Sequence, residues 1–216
     1  MRVTKSEITT TPITAPHLVL CEGPDDGALL EAIAASMGLE AGDLQIWECG
    51  GVTRIKGVVP GLEAATGFGS VRGLALVRDS DDNHASSFLA CADWLSNAGY
   101  PRPADPGHFV KSSTSGIGVG ALTLPIDAAG CIESLFRASV KNQPLGRCVE
   151  DFMMCGATKL VGVTRVCQLD KIYSDAYLVL AAGGISFNFA IQRGLVDIGH
   201  ETFAFVRNFV TELATQ

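Results

Sequence analysis

The stretch LVLCEGPDD, residues 18–26, decides the fold class of this chain and points to its chemistry. An apolar run is followed at once by Glu22, and two more carboxylates follow at Asp25 and Asp26. A short apolar run that ends in a turn signal is typical of a buried strand. Pro24 with acids beside it is also what the first turn of a helix favours. The stretch therefore predicts a strand, a turn and a helix, with acids that either cap the helix or form a site.

The first 100 residues repeat this alternation of apolar runs and helical patterns. Apolar runs cover 17–22, 44–51 and 73–81, and helical patterns follow them over 24–39, 52–66 and 84–99. Two further strands are predicted over 108–113 and 119–125, followed by a helix that begins near Gly130. The order βαβαβα is the signature of a mostly parallel sheet that is covered by helices.

The pattern changes after residue 140, where helical segments separated by glycine-rich breaks replace the alternation. These segments cover 147–155, 175–182 and 201–214. The predicted organisation is a flexible N-terminal arm over 1–16, an α/β core over 17–140 and a helical C-terminal extension over 141–216 packed on the core. The arm is Thr-rich and lacks the apolar region of a secretory signal, which favours a cytoplasmic location.

Composition excludes several classes of protein. Hydrophobic residues make up 47% of the chain, but no apolar stretch approaches the roughly 18 residues of a membrane span. The formal net charge of -7 argues against a protein that coats nucleic acid, although a cluster of metal-binding acids would itself lower that number. The seven cysteines form no C-x-x-C pair, so buried, reduced thiols are expected instead of a zinc site.

Acidic residues recur where another predicted strand ends. Asp79 and Asp81 lie in LALVRDSDDN, residues 74–83. Because ligands gather at the carboxyl ends of parallel strands, we expect both to share a crevice with Glu22. Asp26, one helical turn beyond Glu22, can face the same crevice. Read separately, the two acidic stretches are equally well explained as helix caps and a solvated loop.

Carboxylates placed together repel each other and raise each other's pKa unless a cation lies between them. A hard divalent cation, Mg²⁺ or Mn²⁺, is the simplest compensation, because such ions prefer oxygen ligands. A cation held in this way suits phosphoryl-transfer or phosphodiester chemistry, in which it neutralises phosphate charge and activates water. The sequence therefore predicts a metal-dependent site at the strand ends.

These residues also carry a resemblance to a known family. Glu22-Gly23 at the end of one strand and Asp79-x-Asp81 at the end of a later one resemble the TOPRIM domain of topoisomerases, bacterial primases and overcoming-lysogenization-defect nucleases. The form EGPDD is most similar to the nuclease branch. LPIDAAGCIESL, residues 124–135, and the C-terminal stretches resemble a small stand-alone TOPRIM-like family of unknown function. The resemblance covers most of the chain from residue 17 onward and implies a TOPRIM-like α/β fold.

The resemblance assigns roles to the acids at the strand ends. It implies a magnesium-dependent site in which Glu22 is the general acid/base or a metal ligand. Asp79 and Asp81 would be metal ligands, and Asp26 would add a ligand or orient one.

Residues further along the chain are candidates for the same site. Glu133 is a candidate for a further acidic position, because related nucleases use a later glutamate near a second metal. It lies off the apolar face of its predicted helix, so a solvated helix acid is the alternative, and the favoured one. Such sites often contain a lysine that stabilises phosphate charge, for which Lys171 and Lys111 are candidates.

Two functions of different class remain open. The first is a metal-dependent nuclease that acts on DNA or RNA, for which the resemblance implies a separate ATPase partner. The second is a non-catalytic TOPRIM-fold binding or regulatory module that recognises a partner protein through its C-terminal helices. A receiver-like phosphoacceptor domain fits less well, because of Glu22-Gly23 and the long C-terminal part. The apolar helical tail could form a self-association surface, so a homo-oligomer is kept as an alternative. No membrane partner is predicted.

Overall fold

The computed structural model describes residues 1–156 and 165–216 as a mixed α/β protein built on a six-stranded sheet. The strands are β1 (Arg2–Thr4), β2 (His17–Cys21), β3 (Leu44–Glu48), β4 (Gly73–Asp79), β5 (Phe109–Lys111) and β6 (Gly118–Leu124). Their order in the sheet is β1-β3-β2-β4-β6-β5. Neighbouring strands pair in parallel except β5, which is antiparallel to β6. The predicted mostly parallel sheet is confirmed.

Helices cover both faces of the sheet. They are α1 (Pro24–Ser36), α2 (Val52–Val58), α3 (His84–Asn97), α4 (Ile132–Val140), α5 (Pro144–Gly156), α6 (Val166–Ala182), α7 (Phe187–Gln192) and α8 (Ala204–Ala214). The chain places α2 and α3 against one face, and α1 with α4 to α8 against the other. Buried residues of the C-terminal helices therefore share a core with the sheet. None of the helices in the described residues is long and apolar enough to cross a membrane.

The central strand β2 is buried on both sides, which explains its uninterrupted apolar sequence. Leu18 and Leu20 pack into the core on the α2 and α3 side, whereas Val19 and Cys21 pack into the core beneath α1. All four are fully buried. Successive side chains of a strand point to opposite faces, so a strand covered on both faces needs apolar residues at every position.

The N-terminal residues belong to the sheet, whereas the sequence predicted a flexible arm over 1–16. Arg2–Thr4 pairs in parallel with β3, and Val3 is buried. Arg2 forms an ion pair with Glu48, and Ile13 is also buried. A three-residue edge strand needs only one inward side chain, so hydrophobic periodicity carries no signal of it.

All seven cysteines are unpaired thiols, as expected from their spacing, but they are not all buried. Cys148 and Cys155 are exposed on α5, and Cys167 is half-buried near the start of α6. The others, which lie in the sheet and its covering helices or loops, are buried: Cys21, Cys49, Cys91 and Cys131.

Candidate active site

Strand ends and helix starts converge on a pocket at the carboxyl edge of the sheet. In the sheet, β3 lies on one side of β2 and β4 lies on the other, so the direction of the strand order reverses at β2. Such a reversal opens a crevice between the carboxyl ends of β2 and β4. The crevice has a volume of about 170 Å³ and is called the acidic pocket below. Its lining residues are Glu22, Gly23, Asp25, Asp26, Gly51, Asp79, Ile132, Glu133 and Lys171.

The start of α1 holds two carboxylates at the pocket. The backbone N–H of Gly23 donates to Asp26 Oδ2 at 3.0 Å, and Pro24 occupies the first turn. Asp26 is only 5% exposed. Asp25 Oδ1 accepts a hydrogen bond from the backbone N–H of Asn188 at 2.9 Å, which ties α1 to α7. The helix-capping interpretation of Asp26 is therefore correct, and the same residue also lines the pocket.

Asp79 joins the end of β4 to the start of α4. Its Oδ1 accepts a hydrogen bond from the backbone N–H of Ile132 at 3.1 Å, an N–H in the first turn that the helix itself leaves without a partner. The next residue, Glu133, is buried, with 6% of its surface exposed. The favoured interpretation of Glu133 as a solvated helix acid is therefore wrong, because α6 packs against this turn of α4, where its Asp170 accepts a hydrogen bond from Ser134.

Glu133 faces one charged partner and has one unsatisfied oxygen. Its Oε1 lies 3.9 Å from Lys171 Nζ, and its Oε2 is buried with no hydrogen-bond partner. Glu22 Oε1 is likewise buried and accepts no hydrogen bond, although it lies 3.4 Å from Arg78 Nε. A buried carboxylate oxygen without a hydrogen-bond donor is costly, so both oxygens are places where a further polar or positive partner would be stabilising.

Burial and mutual repulsion raise the pKa values of the pocket carboxyls. Burial, reinforced by the charge of Glu22, raises the pKa of Asp26 to about 8. Burial also raises the pKa of Asp79 well above its usual range, with further contributions from Asp26 and Glu22. The pKa values of Glu22 and Glu133 are raised, again mainly by burial. Burial lowers the pKa of Lys171, but the charges of Glu133 and Asp79 outweigh it and the net shift is upward.

In metal-free protein, Asp26→Asn is expected to weaken the pH dependence of unfolding. The pKa of Asp26 rises from 3.8 to about 8 on folding, so between these values the folded protein holds a proton that the unfolded chain has released. The stability contributed by this proton is lost as the pH rises through that window. Because neighbouring carboxyls can take up the proton instead, we expect the variant to exceed wild type by about 1–3 kcal/mol at pH 9 in urea unfolding with EDTA.

The same comparison at pH 4 should show almost no difference, because Asp26 is then protonated in the folded wild type. Asp82→Asn is the matched control, since the Asp82 side chain is 65% exposed and paired with Arg165. Its stability curve should follow wild type at every pH. If the free energy of unfolding of Asp26→Asn and of wild type changed in parallel with pH, Asp26 would not be the group that holds the proton in the folded protein.

Asp81 is not brought into the acidic pocket with the other predicted residues. Arg78 Nη2 donates to Asp81 Oδ2 at 2.6 Å, and the backbone N–H of Gly130 donates to the Asp81 carbonyl at 2.8 Å. The backbone of Asp81 is left-handed, with φ of 52°. The strand has ended by this position, so the i, i+2 spacing no longer places Asp79 and Asp81 on one side.

The other predicted site residues also fall into two groups, those that line the acidic pocket and those that lie outside it. The pocket brings together Glu22, Asp26, Asp79, Glu133 and Lys171. Lys111 lies at the end of β5 and is exposed and outside the pocket lining. Sequence reasoning missed Asp25 and Gly51 as lining residues, and it missed Arg78 beside Glu22. The one signal for Arg78 was a charged residue within the buried run LALVRD, since a buried charge in a strand needs a partner.

The donors of the pocket suit a hard divalent cation in kind, although they are not assembled around one. All are carboxylate oxygens, the ligands that Mg²⁺ and Mn²⁺ prefer, and two of these oxygens lack hydrogen-bond partners. Within residues 1–156 and 165–216, no three His, Cys, Asp or Glu side chains already stand in positions that would hold a metal ion. Side chains would have to turn to bind one.

The sequence of this chain matches a known family along almost its whole length. The family is described as "Protein of unknown function (DUF3226)", and its model matches residues 16–215. The chain belongs to the DUF3226 family. The matched range includes every lining residue of the acidic pocket. No curated protein sequence matches this DUF3226 chain.

Two solved structures are similar to this DUF3226 chain over most of its length. One is the C-terminal region of the OLD protein of Xanthomonas campestris pv. campestris, which is 12% identical, covers 93% of this chain and 88% of that chain, and has a TM-score of 0.36. The other is the C-terminal region of the OLD protein of Burkholderia pseudomallei, with 15% identity, coverage of 91% and 87%, and a TM-score of 0.35.

Proposed function

We propose that this protein is a Mg²⁺- or Mn²⁺-dependent phosphodiesterase of TOPRIM type that cleaves nucleic acid at the acidic pocket. The observation that carries the proposal is the buried Oε2 of Glu133, which has no hydrogen-bond partner inside a pocket shared with Glu22 and Asp79. A cation suits such an oxygen, because the neighbouring carboxylates, once ionised, add negative charge and no donor.

Glu22, Asp79 and Glu133 are the residues that would hold the cation. Each comes from a different strand end or helix start, so the sheet edge itself sets their separation. When bound, the ion would neutralise phosphate charge and polarise a bound water for attack. Asp26 would keep the turn after β2 in place, because its carboxylate accepts the N–H of Gly23.

Lys171 would bind the substrate phosphate from the rim of the pocket. Its side chain is 54% exposed, yet its ammonium lies 3.9 Å from Glu133 Oε1. A cation that is both near the acids and accessible to solvent can offset charge that develops on a phosphoryl oxygen. The formal net charge of -7 disfavours binding of nucleic acid to the protein surface at large. Nucleic acid would therefore be bound through Lys171 or brought by a partner protein, for which a separate ATPase is the proposed candidate.

Lys171→Met is expected to reduce cleavage by about 10–100-fold, because it removes one electrostatic stabiliser and keeps the aliphatic stem. The rate would be measured with a fluorescently labelled oligonucleotide under single-turnover conditions. Lys111→Met is the matched control, since Lys111 is exposed on the antiparallel edge strand and lies outside the pocket. Equal rates for the two variants would remove Lys171 from the proposed site.

The proposal is tested by incubating the full chain with single- and double-stranded DNA and RNA. Each substrate is offered with Mg²⁺, with Mn²⁺ and with EDTA. The expected result is cleavage of at least one substrate that either ion supports and EDTA abolishes. Metal binding by calorimetry without cleavage would point to a missing partner, and absence of both would contradict the proposal.

The second candidate function is a non-catalytic binding or regulatory module. It is favoured by the hydrogen bonds that already occupy pocket carboxylates, from Gly23 to Asp26, from Asn188 to Asp25 and from Ile132 to Asp79. In this case the acids serve to cap helices, and recognition of a partner protein lies in the C-terminal helices. The module would bind no divalent ion in the pocket, and its interactions would survive Asp79→Asn.

A further inference from the structure

Arg78 is a buried arginine shared by two acidic residues beside the acidic pocket. Its Nη2 donates to Asp81 Oδ2 at 2.6 Å, and its Nε lies 3.4 Å from Glu22 Oε1. The same Nε donates to the carbonyl oxygen of Asp79 at 3.1 Å. Arg78 is 7% exposed, and its guanidinium lies 5.9 Å from the centre of the Trp94 ring. The guanidinium is therefore held from several sides at the end of β4.

The position of this charge separates the two aspartates of the Asp79-x-Asp81 pair. Asp79 lines the pocket, whereas Asp81 is held by Arg78 through its side chain and by Gly130 through its carbonyl. The left-handed backbone at Asp81 keeps this arrangement. The Asp81 carboxylate would have to leave Arg78 before it could reach an ion in the pocket.

The guanidinium of Arg78 thus already supplies a positive charge to two neighbouring carboxylates, those of Glu22 and Asp81. Without Arg78 they would repel each other in a partly buried place, which is the situation in which a second divalent ion binds between acids. Arginine suits this role because its planar fork reaches two carboxylates at once and stays charged at any pH of interest.

We propose that Arg78 takes the place of a second divalent cation, so that the acidic pocket binds a single ion through Glu22, Asp79 and Glu133. This inference rests on the proposed function, in which the pocket binds Mg²⁺ or Mn²⁺. Asp81 is then the partner of Arg78 and not a metal ligand. Glu22 serves both charges, because one of its oxygens faces Arg78 while the residue lines the pocket.

The test is the number of Mn²⁺ ions bound per chain, measured by titration calorimetry and by the electron paramagnetic resonance signal of unbound Mn²⁺. Wild type is expected to bind one ion. Asp81→Asn should also bind one, with an affinity within about twofold of wild type, because it touches no ligand. Asp79→Asn should weaken binding at least about tenfold. Two ions in wild type, or loss of an ion in Asp81→Asn, would overturn the inference.

Removal of the Arg78 charge tests the same inference from the other side, because it should create a second ion site. Arg78→Met is expected to gain a second bound ion, Arg78→Lys to retain one, and Arg78→Met with Asp81→Asn to return to one. A folded Arg78→Met that still binds one ion would overturn the inference, and if that variant does not fold, wild type and Asp81→Asn decide. No binding by wild type would overturn the proposed function and this inference with it, whereas two ions in wild type would overturn the inference alone.

Discussion

Asp79→Asn is expected to reduce metal-dependent cleavage by about 10²–10³-fold while the protein stays folded. The substitution removes the negative charge of a proposed ligand but keeps an oxygen that can accept the hydrogen bond from Ile132. The link between β4 and α4 is thereby preserved. Because the pKa of Asp79 is raised by burial and by Asp26 and Glu22, removing the charge should not lower the stability of the metal-free protein.

The measurement is the single-turnover rate at saturating Mg²⁺ or Mn²⁺, together with the unfolding midpoint of each protein in EDTA. Asp82→Asn is the matched control, because Asp82 lies three residues further along the same loop and pairs with Arg165 at the surface. Its rate should equal that of wild type. Cleavage by Asp79→Asn at the wild-type rate would show that the activity belongs to another site or to a contaminant.

Phe136→Ala is expected to lower the free energy of unfolding by about 3–5 kcal/mol. Phe136 is fully buried on α4, and its ring packs edge-on against Tyr177 at 5.2 Å and Phe187 at 5.3 Å between ring centres. It therefore joins the helix that carries Glu133 to both α6 and α7. Removing the ring leaves a cavity that the surrounding helices can close only in part.

Thermal unfolding should show a fall in the midpoint of roughly 6–20 °C for a domain of this size. Phe152→Ala is the matched control on α5, where the side chain is 64% exposed, and it should change stability by less than about 0.5 kcal/mol. A loss below about 1 kcal/mol for Phe136→Ala would mean that α4 does not depend on this packing for its place at the pocket.

The parallel pairing of the strands that are separated by helices follows from local sequence, whereas the strand order is seen only in the structure. Uninterrupted apolar runs such as LVLC are required by strands buried on both faces, and the helical patterns between them allow only crossover connections. Glu22 and Asp79 could be assigned to one edge on this basis alone, because each directly follows a strand and parallel strands end together. The short strand β1 could not, since a single inward residue, Val3, sets no pattern.

Burial and partner choice required the tertiary structure. Glu133 lies off the apolar face of α4 and still becomes buried, because α6 closes over the first turn of that helix. Lys171 reaches the pocket only because α6 runs past it, a placement that no spacing in the sequence predicts.

Asp79 and Asp81 show the boundary between the two kinds of information most directly. Their spacing of two residues predicts a shared direction as long as the backbone stays extended. The chain turns left-handed at Asp81, and Arg78 binds that side chain. The sequence determined which acids lie at the ends of strands, because apolar runs show where the strands begin and end. Only the folded structure decided which of those acids face the pocket, because a turn and one buried guanidinium redirect the side chain after the pattern has ended.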